Sequence, residues 1–149
     1  MNVLVTGPPA VGKTTVATRL QARLAELGLP FRVVDSDEFS HDTYDRLYER
    51  VNETESNWVV AGTFYKRHWQ ERFQALPDTV LVLLWTDLTT CLERNRQRAD
   101  PIDEAAVHII WREFDDPDAD LVVDVTDLSP SDVVDRIVAL LGPAPETWG

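Results

Sequence analysis

MNVLVTGPPAVGKTT, Met1 to Thr15, is the stretch that decides the fold. Asn2 to Thr6 is a short apolar run rich in β-branched residues. It is too brief for a helix and reads as a buried parallel strand. Gly7 follows, then Pro8, Pro9, Ala10 and Val11, then Gly12, Lys13, Thr14 and Thr15. This is the G-x-x-x-x-G-K-[ST] spacing of a phosphate-binding loop. Behind it, Thr14 to Leu27 places Val16, Ala17, Leu20, Leu24 and Leu27 along one helical stripe. Strand, glycine loop and helix together are the setting this motif requires.

Each residue type in the loop has a chemical reason. Gly7 and Gly12 allow backbone angles that turn N–H groups inward around phosphates. The helix N-terminus adds partial positive charge at the same point. Lys13 carries a mobile ammonium able to reach the β- and γ-phosphates of a nucleotide, and the Thr14 hydroxyl suits Mg²⁺. Gly7 to Thr15 is therefore the expected nucleotide site, with ATP and Mg²⁺ as the ligands.

The chain has 149 residues, enough for one domain with a real core. No apolar run is long enough to span a membrane, and no charged n-region with a cleavage site opens the chain. Cys91 is the single cysteine, so no intrachain disulfide can form. With a nucleotide-binding loop, this points to the cytoplasm. The charge is strongly negative: 26 acidic residues against 14 basic ones, a formal −12. Only Lys13 and Lys66 are lysines. A high-salt cytoplasm would favour such a surface, because dense salt screens self-repulsion. A GC-rich coding bias would give the same composition. Either way the bulk surface should repel nucleic acid.

The rest of the chain alternates. Strands are expected at Phe31 to Val34, Trp58 to Ala61, Thr79 to Trp85 and Leu121 to Val125. Helices are expected at Asp42 to Val51, Lys66 to Leu76, Thr90 to Arg98, Glu104 to Phe114 and Pro130 to Leu141, the last capped by Ser129. Thr86 to Thr89 reads as a loop and Ala99 to Asp103 as a mobile lid tip around Pro101. The predicted fold class is α/β: one domain over residues 1–142, a five-stranded parallel sheet with helices on both faces, and a short arginine-bearing lid. Residues 143–149 form a Pro-rich tail expected to be loose. Ligands of such sheets bind at the carboxyl ends of the strands, where Gly7, Asp35, Asp37, Gly62, Thr63 and Asp87 lie.

These residues resemble a family. GPPAVGKTT, the strand-end DSD at Asp35 to Asp37, GTFYKRHW at Gly62 to Trp69 and CLERNRQR at Cys91 to Arg98 follow the order seen in small P-loop kinases. The resemblance takes in adenylylsulfate kinase, gluconate kinase, the zeta-toxin kinases and archaeal seryl-tRNA kinase. IDEAAVHIIWREFDDP and DLVVDVTDLSP look like the family's segment between lid and last strand, and the loop from Asp124 to Leu128 would border the adenine. R-N-x-x-R, here Arg94, Asn95 and Arg98, looks like a kinase lid motif. Many P-loop proteins end their third strand in Asp; this chain has Ala61-Gly62. The arginine and aromatic elements that clamp adenylylsulfate are not evident, nor are RNA-binding parts.

Phosphoryl transfer needs positioning, a divalent cation and positive charge around the moving group. Asp35 and Asp37 are the candidates for base and metal roles, with Thr14; a helix cap or a solvated turn is their bland alternative. If the backbone stays extended, the two carboxylates share a side. Asp87 is the next candidate. Thr63, Lys66, Arg67 and Arg72 are expected around an anionic acceptor, though Arg72 suits a solvated helix face equally. Arg94 and Arg98, four apart, would share one helix face and close over ATP. The leading expectation is an ATP-dependent kinase acting on a hydroxyl of a small anionic or nucleotide-like acceptor. An RNA or tRNA kinase and a non-catalytic ATP-binding switch are the alternatives. No membrane partner is expected, and the oligomeric state is not legible.

Overall fold

β1 (Asn2–Thr6) lies in the middle of a five-stranded sheet, as its uninterrupted apolar sequence requires. The computed structural model describes residues 1–53 and 55–142, so the tail expected at residues 143–149 lies outside the described residues. The other strands are β2 (Phe31–Asp35), β3 (Asn57–Ala61), β4 (Thr79–Trp85) and β5 (Leu121–Asp124). Their order is β2-β3-β1-β4-β5, and every neighbouring pair is parallel. The helices are α1 (Lys13–Glu26), α2 (Thr43–Glu53), α3 (Arg67–Gln74), α4 (Leu88–Arg96), α5 (Glu104–Glu113) and α6 (Pro130–Leu141). The α/β class and parallel sheet are as expected.

The two-residue period of the strands splits the core into two layers. Val3 and Val5 of β1 join Val82 and Leu84 of β4 beneath α1 and α6, against Leu20, Leu24, Val133 and Ile137. Leu4, Leu81 and Leu83 face the other way, onto Leu47, Val51 and Phe73 of α2 and α3. Trp58 and Phe64 fill this second layer and are almost fully buried.

Most boundaries shift by a residue or two, which is ordinary at fraying ends. Two differences matter. The stretch read as a loop from Thr86 to Thr89 is partly helix: α4 begins at Leu88, because Asp87 Oδ1 accepts the Thr90 N–H at 2.7 Å. Two adjacent threonines are weak helix formers, but the cap at Asp87 outweighs them. The same helix stops at Arg96, where Gln97 and Arg98 donate to the carbonyls of Arg94 and Asn95 at 3.2 and 3.1 Å. These tightened turns close the helix end, so Arg98 lies beyond it. The Ser129 cap is present: Ser129 Oγ accepts from the Asp132 N–H, and Asp132 Oδ2 accepts from the Ser129 N–H, both at 3.1 Å.

Candidate active site

The carboxyl ends of β1, β2 and β3 open onto one cleft of about 350 Å³, with α4, α5 and the turn between them on its far side. Its floor is the loop between β1 and α1. Gly7 is required by a close approach: a Cβ there would stand 2.2 Å from the carbonyl oxygen of Leu84 on β4. Gly12 takes φ 91° and opens α1 with no side-chain cap, leaving the first N–H groups of the helix for another acceptor. Ala10, with φ 67°, is a non-glycine held in the left-handed region. Pro9, Ala10, Gly12, Lys13, Thr14 and Thr15 line the cleft, while Gly7, Pro8 and Val11 are buried behind it.

Lys13 curls back over the loop. Its ammonium donates to the carbonyls of Gly7 at 3.0 Å and Pro8 at 2.8 Å. Burial pushes its pKa down to about 8; the nearby Asp35 and Asp37 carboxylates push the other way, and the Arg98 guanidinium lowers it further. The lysine as a whole is half-buried, but its charged end is desolvated.

Asp35 ends β2, and here the backbone does not stay extended. The chain turns into a single 3-10 turn at Ser36–Glu38, with Asp35 Oδ1 accepting the Asp37 N–H at 2.9 Å and Glu38 Oε2 accepting the Asp35 N–H at 2.7 Å. The carboxylate alternation expected of a strand is therefore replaced by a capped turn, and Asp35, Ser36 and Asp37 all line the cleft. The second oxygen of Asp35 accepts from the Thr14 hydroxyl at 2.5 Å. Asp35 thus caps the turn and faces the loop at once. A hydroxyl and a carboxylate side by side are hard oxygen donors that suit Mg²⁺. Among the described residues no group of three or more His, Cys, Asp or Glu could hold a metal ion. A cation at Thr14 and Asp35 would complete its shell with phosphate oxygens and water, the usual Mg²⁺ arrangement.

Thr63 lines the cleft from the end of β3, fixed by the buried Thr6 hydroxyl, which donates to its carbonyl at 2.6 Å. Phe64 next to it takes φ 44°. Its N–H donates to the Tyr44 hydroxyl at 3.1 Å, and its ring is wedged between Tyr44 and Phe73 at 4.7 and 4.8 Å. The three cations expected around an acceptor are not among the residues lining the cleft. Lys66 lies over the Tyr65 ring at 5.0 Å. Arg67 is exposed, with its backbone N–H on Asp115 Oδ2. Arg72 pairs with Asp45 at 2.5 Å and covers the Tyr48 ring at 4.2 Å, the packing role open to it from the sequence.

Arg94 and Arg98 both line the cleft, but not from one helical face as the sequence suggested, because α4 ends between them. Arg94 donates to the carbonyls of Val125 and Thr126 at 3.0 and 3.3 Å, which joins the loop after β5 to the cleft wall. Arg96 pairs with Glu104 outside. The expected mobile tip is stitched at its base: the buried Asn95 amide bonds both the N–H and the carbonyl of Ile102. Asp87 is held as a cap and is not among the cleft-lining residues. Burial pushes the Cys91 thiol up to about 11, so it stays protonated and packs as core.

Three cleft residues escaped sequence reasoning: Ser36, Ile102 and Ile110. Ser36 carried a signal in its place between the two aspartates. Ile110 carried none, because an apolar residue on a helix reads as core whichever surface it faces, and Ile102 lay in the stretch read as a lid tip, where a single apolar residue has no pattern.

Comparison with known proteins follows the same lines. Residues 3–117 match the model of a family described as AAA domain. No curated protein sequence matches. Among solved structures, a gluconokinase from Sinorhizobium meliloti 1021 is 18% identical with a TM-score of 0.74, over 93% of this chain and 90% of that one. The Mycobacterium tuberculosis APS kinase CysC, in complex with AMPPNP and APS, is 21% identical with a TM-score of 0.75, over 95% and 97%. Kti12 of Chaetomium thermophilum, in complex with ADP-AlF3, is 16% identical with a TM-score of 0.75, over 96% and 100%. At these identities the likeness is one of fold, the fold of small P-loop kinases.

Proposed function

The chain belongs to the AAA domain family, and from that premise we propose that it is an ATP-dependent kinase transferring the γ-phosphoryl group to a hydroxyl of a small acceptor. The observation that carries this reading is the 2.5 Å bond between Thr14 and Asp35, which places hydroxyl and carboxylate donors together beside Lys13. A site that only held phosphates would need the loop and the lysine. Hard oxygen donors, a second carboxylate at Asp37 and an arginine opposite suit the transfer itself.

The loop N–H groups and Lys13 would bind the triphosphate. Thr14 and Asp35 would hold Mg²⁺, which neutralises phosphate charge when bound. Asp37 is exposed at the mouth of the cleft and would accept the acceptor hydroxyl's proton as its oxygen bonds the γ-phosphorus and the bond to the β–γ bridging oxygen breaks. Arg98 would meet the charge spread over the moving group. Lys66 and Arg67 follow β3 and would serve an anionic or nucleotide-like acceptor only by swinging from the rim. Thr63 would contact that acceptor from the end of β3.

The test is a transfer screen with γ-labelled ATP against adenylylsulfate, sugars, nucleosides and total tRNA. Label on one small hydroxyl compound supports the reading. Label on tRNA alone makes the chain an RNA kinase. Tight ATP binding without transfer or hydrolysis makes it a switch.

A further inference from the structure

We propose that Asn95 is the positioning residue of the lid: it holds the turn carrying Arg98 in place against the phosphate loop before any nucleotide arrives. Asn95 lies in the last turn of α4 and is 1% exposed. Its Nδ2 donates to the Ile102 carbonyl at 2.8 Å, and its Oδ1 accepts the Ile102 N–H at 3.1 Å. Its own backbone carbonyl accepts the Arg98 N–H at 3.1 Å. One residue therefore ties down both ends of the segment between α4 and α5. Only a side chain with a donor and an acceptor side by side can do this, so neither Asp nor Leu replaces it.

The need for such a tie is visible in what surrounds it. Gln97 to Pro101 are all exposed, so this segment buries nothing that would order it. Of the nearby arginines, Arg94 is committed to the Val125 and Thr126 carbonyls and Arg96 to Glu104. Among the described residues the Arg98 guanidinium has no hydrogen-bond or ion-pair partner. It nevertheless lines the cleft, close enough for its charge to act on Lys13. A side chain with no anchor of its own is placed by its backbone, and that backbone is placed by Asn95. A pre-set Arg98 loses less freedom when charge develops in front of it, so the benefit falls on the rate.

This deepens the phosphoryl-transfer reading and rests on it for its rate measurement, for which slow ATP hydrolysis serves if no acceptor is found. The experiment compares wild type, Asn95→Ala, Arg98→Ala, the double variant and Arg96→Gln. Thermal unfolding, ATP affinity and turnover are measured on each. Asn95→Ala is expected to keep ATP affinity within about threefold while turnover falls about tenfold, and to add less than about twofold in the Arg98→Ala background, because residues acting as one unit are not additive. Arg96→Gln, which opens only the exposed pair beside the same turn, should change turnover less than about twofold. Equal losses from Asn95→Ala with and without Arg98, or no loss at all, overturn the proposal. Hydrogen exchange at Ile102 in the wild-type chain needs neither folding of a variant nor catalysis: a protected amide is expected, and exchange at the unprotected rate overturns the proposal. A chain with that amide protected but no transfer or hydrolysis would refute the kinase reading while leaving the tie itself in place.

Discussion

Lys13 is the residue on which pH and function meet. Its folded pKa of about 8 lies below the ordinary 10.5, so burying its charge costs stability wherever it is protonated in both states. That cost is fully present below about pH 8. It is relieved as pH rises from about 8 towards 10.5, where the unfolded chain still holds the proton and the folded one has lost it. Lys13→Met should therefore be more stable than wild type at pH 7, with the gap in urea unfolding closing by about pH 10.5. Triphosphate would restore the proton. Binding at pH 9 should take one up, visible as a buffer-dependent calorimetric heat. Lys13→Ala should keep the fold and lose at least about a hundredfold in transfer, the scale of a lost electrostatic donor; transfer within threefold of wild type would remove Lys13 from the mechanism. At Asp35 and Asp37 we expect a division of labour. Asp35→Asn should raise the Mg²⁺ concentration needed for turnover and loosen the turn it caps. Asp37→Asn should lower turnover with ATP affinity nearly intact. Normal turnover in both would move the metal and base roles elsewhere.

At the scale of elements, the loop between β1 and α1 depends on how closely β4 passes it. Gly7→Ala would drive a methyl to 2.2 Å from the Leu84 carbonyl, which can only be relieved by moving backbone. We expect a loss of about 2 kcal/mol or more in chemical denaturation, in the range of overpacked cores. Little or no loss would mean that β4 is freer than its buried neighbours suggest. Arg94→Lys tests another junction. Arg94 Nη2 alone donates to the carbonyls of both Val125 and Thr126, from a rigid planar group, whereas a lysine brings its donors on a flexible stem. Arg94→Lys should therefore lower turnover below wild type, and wild-type turnover would show that the planar group is not needed there. Much of this level was legible beforehand. The strands, the glycine loop and the Ser129 cap follow from apolar runs and local hydrogen bonding, signals carried within a few residues. What escaped was set by distant partners. Arg72 was drawn away from the cleft by Asp45 and Tyr48, and Asn95 gained its role from Ile102 across a turn with no pattern of its own. The end of α4 was misplaced because the arginine spacing continued the helical period after the backbone had left it.

For the whole molecule, charge is the main lever. A formal −12 spread over one domain repels itself, and the cations gathered at the cleft offset little of it. Raising salt from about 0.05 to 1 M shortens the screening length from over 10 Å to about 3 Å, so the melting temperature should rise. An unchanged or falling melting temperature would show that local pairs such as Arg23–Asp135 matter more than the net field. No described helix is long and apolar enough to cross a membrane.

The placing of β1 at the centre of the sheet has a consequence for synthesis. The strand that needs partners on both sides leaves the ribosome before either of them, for its neighbours begin at Asn57 and Thr79. Until Trp85 has emerged, the apolar strand and its phosphate loop have no second neighbour to lie against. A growing chain of this kind is exposed to mispairing and aggregation until that point. It can begin to grip nucleotide only after β4 has closed the sheet, so this motif is made before the two strands on which its competence depends.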